Sequence, residues 1–475
     1  MYCIFKKIFL GRSCKQFYFY YNNSKSMNIN IIGAGYVGLV TASCFAHSGH
    51  KVKCYDIDKD KIDLLKKGKT NIYEPQLESL LKENLENKRL NFSDNLHDIC
   101  TFSNIFFICV GTPPRGSGEA NLLALYKSIF SISENTKNAF LIVKSTVPPG
   151  TCEELSAMID SSKNISISMC PEFLREGSAV KDFLKPDRIV IGKNPDTSED
   201  LFLTIFSPFI RENKSIIFMD TLSAELTKYA SNSFLATKIS FMNELSIYAD
   251  LKGADIEKVR MGIGLDKRIG YEYLYPGLGF GGSCFPKDIR ALIDNADDAN
   301  LDLKLLKSVI EINDHQVDIF TKKITGYFES DDLSGLTLSF WGVSFKPNTD
   351  DIRFAPSIKL IKNLLNKGAL VKAYDPKALD NLKETIQHKN LSFHHNAFDA
   401  AKDSNSLIIA TEWKEFFNID FEDLKTVLKN PVIFDGRNIY DPNLLSQKGF
   451  DYICIGRPTK INNIHEFSNS LNVVK

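Results

Sequence analysis

The apolar run Ile29-Asn30-Ile31-Ile32 passes directly into Gly33-Ala34-Gly35-Tyr36-Val37-Gly38, and a helix-like stretch over residues 39–48 follows. Strand, glycine turn and helix in this order restrict the fold more than anything else in the chain. The first glycine permits a tight turn, the second lets the backbone approach a pyrophosphate, and the third lets helix and strand pack closely. The free N–H groups at the helix start then face the phosphates. A second strand over residues 51–55 ends at Asp56, near the ~20-residue interval at which a carboxylate meets the ribose hydroxyls. The pattern predicts an α/β unit that binds a dinucleotide, and the acid favours NAD over NADP. Lys61, five residues on, is a cation that would also suit a 2′-phosphate.

With 475 residues, 43% of them hydrophobic, the chain has length for two or three domains with substantial cores. Its 58 basic and 58 acidic residues cancel, so no overall field draws it to nucleic acid or a membrane, and a small-molecule partner is expected. Ten cysteines without a C-x-x-C pair and eight scattered histidines point to neither a disulfide framework nor a metal site. That usage suits a reducing cytosol. The adjacent His394 and His395 are read as solvated loop residues. Residues 1–26 stand apart, with Lys6, Lys7, Arg12, Lys15 and Lys25, many aromatics and no acid. We read them as an extension ahead of a translation start at Met27, disordered or not translated, with an organellar presequence as the alternative.

An internal echo guides the domain division. Residues 49–56 read GHKVKCYD and residues 368–375 read GALVKAYD; Ser103-Asn104 and Ser404-Asn405 each lead into an apolar strand. The second unit opens with a strand over 336–341 but keeps only Gly342 of the glycine fingerprint, so it is expected to bind a different nucleotide, or none. Between the units, Leu222, Leu226, Tyr229, Leu235, Ile239, Met242 and Leu245 recur at near-helical spacing and predict one long helix. Lys228 and Asn232, at i and i+4, emerge on one face of it. The expected architecture is α/β, two Rossmann-like doubly wound domains joined by a long central helix. Its parts are a dinucleotide domain over 27–219, a central helical region with the cysteine turn over 220–330 and a second Rossmann-like domain over 331–475.

Residues 279–288 read GFGGSCFPKD, which places Cys284 in a glycine-rich turn beside Lys287 and Asp288. Oxidising a primary alcohol to an acid takes two hydride transfers, and the aldehyde between them must first gain a nucleophile. A thiolate supplies one, through a thiohemiacetal and then a thioester that water hydrolyses. The glycines would let substrate approach the sulfur. Lys228 would stabilise developing negative charge on oxygen, with Asn232 as a neutral donor, and Asp288 would accept a proton or hold a water. The plainer alternative for Cys284 is a small buried hydrophobe.

Over residues 27–458 the chain resembles the UDP-glucose/GDP-mannose dehydrogenase family. The matching segments are IIGAGYVGL from Ile31, VGTPP from Val110, KSTVPPGT from Lys144, PEFLREGSAV from Pro171, PDRIVIG from Pro186, Glu225-Leu226-Thr227-Lys228-Tyr229 with Asn232, DKRIG ending at Gly270, GFGGSCFPKD, SFKPNTDDIR from Ser344, AYDP ending at Pro376, and DGRNIYDP from Asp435. The resemblance implies oxidation of UDP-glucose to UDP-glucuronate by two NAD, with Cys284 as nucleophile. Lys228, Asn232 and Asp288 would serve oxyanion stabilisation and proton handling, and Thr146 and Glu172 would position water. It implies cofactor contacts from Gly33, Gly35, Tyr36, Val37, Gly38, Asp56, Lys61, Thr112, Glu176, Lys287 and Arg353. Substrate would be held by Phe173, Leu174, Arg175, Lys228, Asn232, Tyr273, Leu274, Tyr275, Pro276, Gly277, Gly281 and Lys346, with Arg268 reaching over from a neighbouring subunit of a homo-oligomer. The resemblance further implies an N-terminal NAD domain and a C-terminal UDP-sugar-binding domain joined by the long central helix and a helical dimerisation region, in an enzyme of nucleotide-sugar and polysaccharide biosynthesis; with the cysteine usage, a cytoplasmic setting is expected.

Three positions depart from the family pattern: Phe354 where an acid is frequent, Gly118-Glu119-Ala120-Asn121 after the G-T-P motif, and Lys61 in place of arginine, which keeps the charge and loses the bidentate fork. Two alternatives remain open at this level. One is the same chemistry on GDP-mannose or a UDP-N-acetylhexosamine; the other is a non-catalytic NAD-binding scaffold, against which the intact Cys284, Lys228, Asn232 and Asp288 set argues.

Overall fold

The computed structural model describes residues 26–116, 118–210 and 216–461. Apart from Ser26, the amino-terminal extension lies outside the described residues. The chain divides into two compact units, Met1–Tyr229 and Ala230–Lys475.

The first unit is built on strands β1 (Asn28–Ile32), β2 (Lys51–Tyr55), β3 (Leu90–Ser93), β4 (Ile105–Ile108), β5 (Phe140–Val143), β6 (Ser166–Met169), β7 (Ile189–Gly192) and β8 (Ile216–Met219). They form one sheet in the order β3-β2-β1-β4-β5-β6-β7-β8. All neighbours run parallel except β6 and β7. The strands read as apolar runs because both faces are covered. Successive side chains enter different cores: Ile31 and Phe107 join the cluster around Phe45, while Ile32, Phe106 and Ile108 join Leu125, Ile129 and Leu155 on the other face. The chain reverses its direction of growth between β1 and β4, the switch point at which open α/β sheets place their ligands.

The second unit repeats the scheme with β9 (Thr337–Trp341), β10 (Leu370–Tyr374), β11 (Leu391–Phe393), β12 (Ser406–Ile409), β13 (Val432–Asp435) and β14 (Asp451–Cys454). Their order is β11-β10-β9-β12-β13-β14, parallel throughout. The order matches that of the first six strands of the first sheet, so the internal echo is one topology used twice.

Six helices matter for the site: α1 (Tyr36–His47), α2 (Thr151–Met158), α3 (Ala179–Leu184), α4 (Thr221–Lys252), α5 (Phe285–Asp298) and α6 (Lys304–Tyr327). Helix α1 starts at Tyr36, three residues before the expected start, because the glycine turn is complete at Gly35 and Gly38 packs inside the helix. Helix α4 is the predicted long helix, 32 residues from Thr221, or about 48 Å at 1.5 Å per residue. The boundary between the two units falls within it. No described helix is long and apolar enough to cross a membrane. The eight described cysteines are free thiols, and no metal-ligating cluster occurs among the described residues.

Candidate active site

The glycine turn divides its three glycines between packing and access. Gly33 has φ +97°, and a Cβ there would stand 2.9 Å from the Cys109 carbonyl oxygen at the end of β4. A Cβ on Gly38 would stand 1.8 Å from the Gly33 carbonyl oxygen, so α1 seats on the turn only because that position is bare. Gly35 has nothing within 4 Å. Its side is open, as a pyrophosphate approaching the backbone requires. Asp56, at the end of β2, accepts from Ala34 N (2.8 Å), Asp58 N (3.0 Å) and Lys61 Nζ (3.1 Å). Lys61 is thereby occupied by Asp56, which weakens its claim on a 2′-phosphate. The residues present fit a dinucleotide.

Two further expected cofactor positions meet their neighbours here. Thr112 Oγ1 donates to the Thr146 carbonyl at 2.8 Å. Tyr36, the first residue of α1, donates its hydroxyl to Glu74 Oε2. Val37 packs half-buried against the core, and Glu176 lies in the segment just ahead of α3.

On the same unit Lys228 of α4 and Glu172, after β6, form a buried ion pair at 2.7 Å. Glu172 Oε2 also accepts from Leu174 N at 2.7 Å. Burial works to raise the Glu172 carboxyl, but the Lys228 charge, its hydrogen bond, the Leu174 N–H and the charge of Lys144 outweigh it, and the group lies below the usual carboxylate range. The Phe173 ring carries the Arg188 guanidinium at 3.7 Å and the Lys228 ammonium at 5.7 Å. Arg175 is held by Asp182 of α3 through Nε (2.9 Å) and Nη2 (2.7 Å). Glu225, one turn before Lys228 on α4, accepts from Gly150 N (2.6 Å) and Cys152 N (2.8 Å), capping α2 and anchoring the loop that carries Thr146.

In the second unit Cys284 is the N-cap residue of α5, partly exposed, with Ser283 Oγ 3.8 Å from its sulfur. Pro286 falls in the first turn, where a missing N–H costs nothing. One turn on, Asp288 is buried and accepts from Asn232 Nδ2 (2.6 Å) and Lys287 Nζ (2.7 Å). The glycines of this turn pack closely against the protein's own chain. A Cβ on Gly281 would lie 2.5 Å from the Phe354 carbonyl oxygen, and one on Gly282 (φ +80°) would lie 2.7 Å from the Phe345 ring.

The peptide at Gly277 is clamped from both sides: its N–H donates to Asn243 Oδ1 (2.8 Å) and its carbonyl accepts from Gln316 Nε2 (2.9 Å). Ahead of it Tyr273 has φ +64°, Leu274 and Pro276 are buried, and Tyr275 is exposed beneath the Arg260 guanidinium at 4.9 Å. Arg437 donates to the Ala410 (2.8 Å) and Phe345 (3.1 Å) carbonyls, and a Cβ on Gly277 would meet its Nη1 at 3.3 Å. The Lys346 ammonium lies 5.1 Å from the Phe345 ring, and Arg353 pairs with Asp351 at 2.7 Å. Arg268 projects into solvent, bonded to Asp266 of its own chain at 2.6 Å.

The second sheet repeats the acid but not the site. Asp375, the counterpart of Asp56, accepts from Val343 N, Ser344 N, Ser344 Oγ, Lys377 N, Ala378 N and the Trp413 indole. Six donors leave it nothing to offer a ribose. Gly342 (φ +88°) is packed like its counterpart Gly33, a Cβ there lying 2.5 Å from Thr411 Cβ, but the position matching the open Gly35 is Ser344, whose hydroxyl is turned onto Asp375.

Inspection of the sequence did not single out Glu74, Asn243, Gln316 or Arg437 as site residues, nor Glu225 beyond its place in a motif. Their partners are dozens of residues away, and only the one-turn spacing of Glu225 and Lys228 was visible in advance.

An open glycine turn followed by a carboxylate at the end of the next strand in the first unit suits an oxidoreductase that uses a dinucleotide, and the second unit carries a partly exposed cysteine at a helix start. Models of the UDP-glucose/GDP-mannose dehydrogenase family match three segments: the NAD binding domain over residues 27–210, the central domain over 222–315 and the UDP binding domain over 339–442. The chain belongs to the UDP-glucose/GDP-mannose dehydrogenase family, and NAD is its cofactor. It is 42% identical over 432 residues to a UDP-glucose 6-dehydrogenase of Rickettsia felis, covering 90% of this chain and 96% of that protein. Among solved structures it is similar to a UDP-glucose dehydrogenase from Pyrobaculum islandicum, with TM-score 0.82, 34% identity and coverage of 91% of this chain and 98% of that one. A UDP-D-ManNAc dehydrogenase from Pyrococcus horikoshii matches with TM-score 0.79, 27% identity and coverage of 91% and 100%.

Proposed function

We propose that this chain oxidises the primary alcohol of UDP-glucose to the carboxylate of UDP-glucuronate, consuming two NAD and one water. The observation that carries the reading is Cys284 at the start of α5, with Asp288 buried one turn on and held by Asn232 and Lys287. The likeness to UDP-glucose 6-dehydrogenases over nine-tenths of the chain supports the choice of sugar.

NAD, held at the turn around Gly33, Gly35 and Gly38 and by Asp56, supplies a hydride acceptor for each of the two oxidations. Lys228, paired with Glu172 at 2.7 Å, is assigned the stabilising of the alcohol oxygen as it gives up its proton. Once the aldehyde has formed, the Cys284 sulfur bonds to its carbon while the carbonyl oxygen takes up a proton, giving a thiohemiacetal. Free N–H groups at the start of α5 favour negative charge on the attacking sulfur. After the second oxidation the adduct is a thioester. Water then attacks the acyl carbon, the C–S bond breaks, the sulfur regains a proton and the carboxylate leaves. Glu172, with Thr146 on the loop anchored by Glu225, is assigned the placing of that water, and Asn232 and Asp288 the handling of the proton.

The finer assignments follow the same reading. Phe173, Leu174, Arg175, Tyr273, Leu274, Tyr275, Pro276, Gly277, Gly281, Lys346 and Arg437 are assigned to the sugar nucleotide, and Thr112, Glu176, Lys287 and Arg353 to the cofactor. The protein is assigned a homodimer, because Phe234, Phe241 and Tyr248 are exposed large apolar residues at seven-residue spacing on α4. Arg268, exposed in its own chain, would then reach the partner's site. A cytoplasmic location suits the free thiols. A UDP-N-acetylhexosamine is the second reading for the substrate, favoured by the Pyrococcus horikoshii likeness.

The test is NADH released per molecule of UDP-glucose. Two, abolished in Cys284→Ser, supports the proposal. Turnover of GDP-mannose or UDP-N-acetylglucosamine but not of UDP-glucose moves the substrate, and no NADH with any of the three sinks the catalytic reading.

A further inference from the structure

Glu74 belongs to the segment Asn71-Ile72-Tyr73-Glu74-Pro75, between β2 and β3, and has no part in the chemistry above. It is buried, 5% exposed, yet no described ion pair includes it. Instead its carboxylate gathers donors from two other parts of the unit. Oε2 accepts from the Tyr36 hydroxyl and from Gly177 N (2.6 Å), and Oε1 accepts from Ala179 N (2.8 Å). Tyr36 opens α1 and so sits on the dinucleotide turn. Gly177 and Ala179 end the segment that begins with Glu172 and includes Phe173, Leu174 and Arg175.

Local structure on either side leaves this carboxylate a task that no neighbour performs. Ser178 is the N-cap residue of α3, but its side chain makes no capping bond, and Glu74 takes the Ala179 N–H in its place. A helix cap alone would need only a neutral acceptor. Three donors from two segments call for a group with several lone-pair sites and full charge, which is a carboxylate. Burial strengthens each of these bonds and makes each costly to lose.

We propose that Glu74 is a positioning residue that fixes the dinucleotide turn and the 172–179 segment to each other, so that the cofactor and sugar contacts of this unit are set together. This rests on the assignment of Tyr36 to the cofactor and of 173–175 to the sugar nucleotide. The Tyr36 hydroxyl meets Glu74 and the Gly177 backbone, but the bonds of Glu74 to Gly177 N and Ala179 N stand without it, whereas every link from the segment to the turn through the carboxylate is lost with Glu74. Removing the tyrosine hydroxyl should therefore disturb one ligand, and removing the carboxylate should disturb two.

The experiment compares full-length wild type, Tyr36→Phe, Glu74→Gln and the double variant. NADH binding is followed by fluorescence, UDP-glucose binding by calorimetry, and melting temperature is recorded for each. Tyr36→Phe should weaken NADH about tenfold, the worth of one charge-assisted hydrogen bond, and leave UDP-glucose within about twofold. Glu74→Gln should weaken both ligands about tenfold, raising KM for NAD and for UDP-glucose more than it lowers kcat. The double variant should bind NADH no more weakly than Glu74→Gln alone, because both changes remove the same link. A lowered melting temperature with both affinities unchanged would make Glu74 a structural cap and overturn the proposal, as would independent, multiplying effects in the double variant. If Glu74→Gln does not fold, unchanged NADH affinity in Tyr36→Phe overturns it. Failure of the wild type to bind UDP-glucose would instead bring down the functional assignment beneath it.

Discussion

Two alanine substitutions three residues apart should act in opposite directions. In Gly38→Ala the new methyl would lie 1.8 Å from the Gly33 carbonyl oxygen, far inside the about 3.5 Å at which non-bonded heavy atoms rest. That oxygen belongs to a turn fixed by β1 and β4, so α1 must lift from the sheet. Overpacking of this kind costs about 1–3 kcal/mol and sometimes more; we take about 3 kcal/mol. At about 2–4 °C per kcal/mol for a domain of this size, the melting temperature should fall by about 6–12 °C. Gly35, by contrast, has φ −80° and ψ −169°, an extended conformation open to any residue, with nothing within 4 Å of a new Cβ. Gly35→Ala should stabilise the apoprotein by about 0.4–1 kcal/mol through the unfolded chain. The same methyl occupies the path of the pyrophosphate, so NADH affinity should fall at least about tenfold, or about 1.4 kcal/mol. Thermal unfolding without ligand and NADH titration, run on both variants, decide the matter. A wild-type melting temperature for Gly38→Ala, or wild-type NADH affinity for Gly35→Ala, would refute the division of labour between the two glycines.

Glu172→Gln strands the buried Lys228 ammonium, and denaturant unfolding should register a loss of about 3–5 kcal/mol at neutral pH. Because the folded carboxyl lies below its unfolded value of 4.5, the wild-type advantage is complete above that pH and should vanish as pH drops through the folded value; an advantage that persists in strong acid contradicts this. His50 is buried, its Nδ1 accepting from Met27 N at 3.2 Å and its Nε2 facing the Ile205 carbonyl at 3.0 Å. Burial lowers its pKa below 6.5, against the pull of that carbonyl. The unfolded chain takes up the proton first, so wild-type stability should decline as pH falls below 6.5, and more steeply than that of His50→Asn; parallel curves would exclude the linkage. Phe241→Asp, on the exposed face of α4, should shift the protein from dimer to monomer in sedimentation, and an unchanged mass would remove that face from the interface.

The local parts of this protein were legible in the chain. A glycine turn, the strand before it and the acid after β2 lie within about thirty residues, and backbone sterics and strand period determine them with little help from elsewhere. The helical period of α4 likewise placed Lys228 and Asn232 one turn apart. What those two side chains meet was not legible: Glu172 and Asp288 each lie 56 residues from their partners, on opposite sides of α4 in sequence. Glu74 reaches Ala179 across 105 residues. No spacing rule joins such pairs, since topology alone brings the ends of β2, β6 and α4 together in the first unit.

The sharpest contrast lies in the repeated segment. The sequence by itself determined that Asp56 and Asp375 end equivalent strands, because like strand patterns build like sheets. It could not tell the two acids apart. Only the tertiary structure closed the second site, by bringing Ser344 and the Trp413 indole onto Asp375. A carboxylate can bind a ligand only with the lone pairs its own fold leaves unused, and that remainder is decided by packing between distant segments.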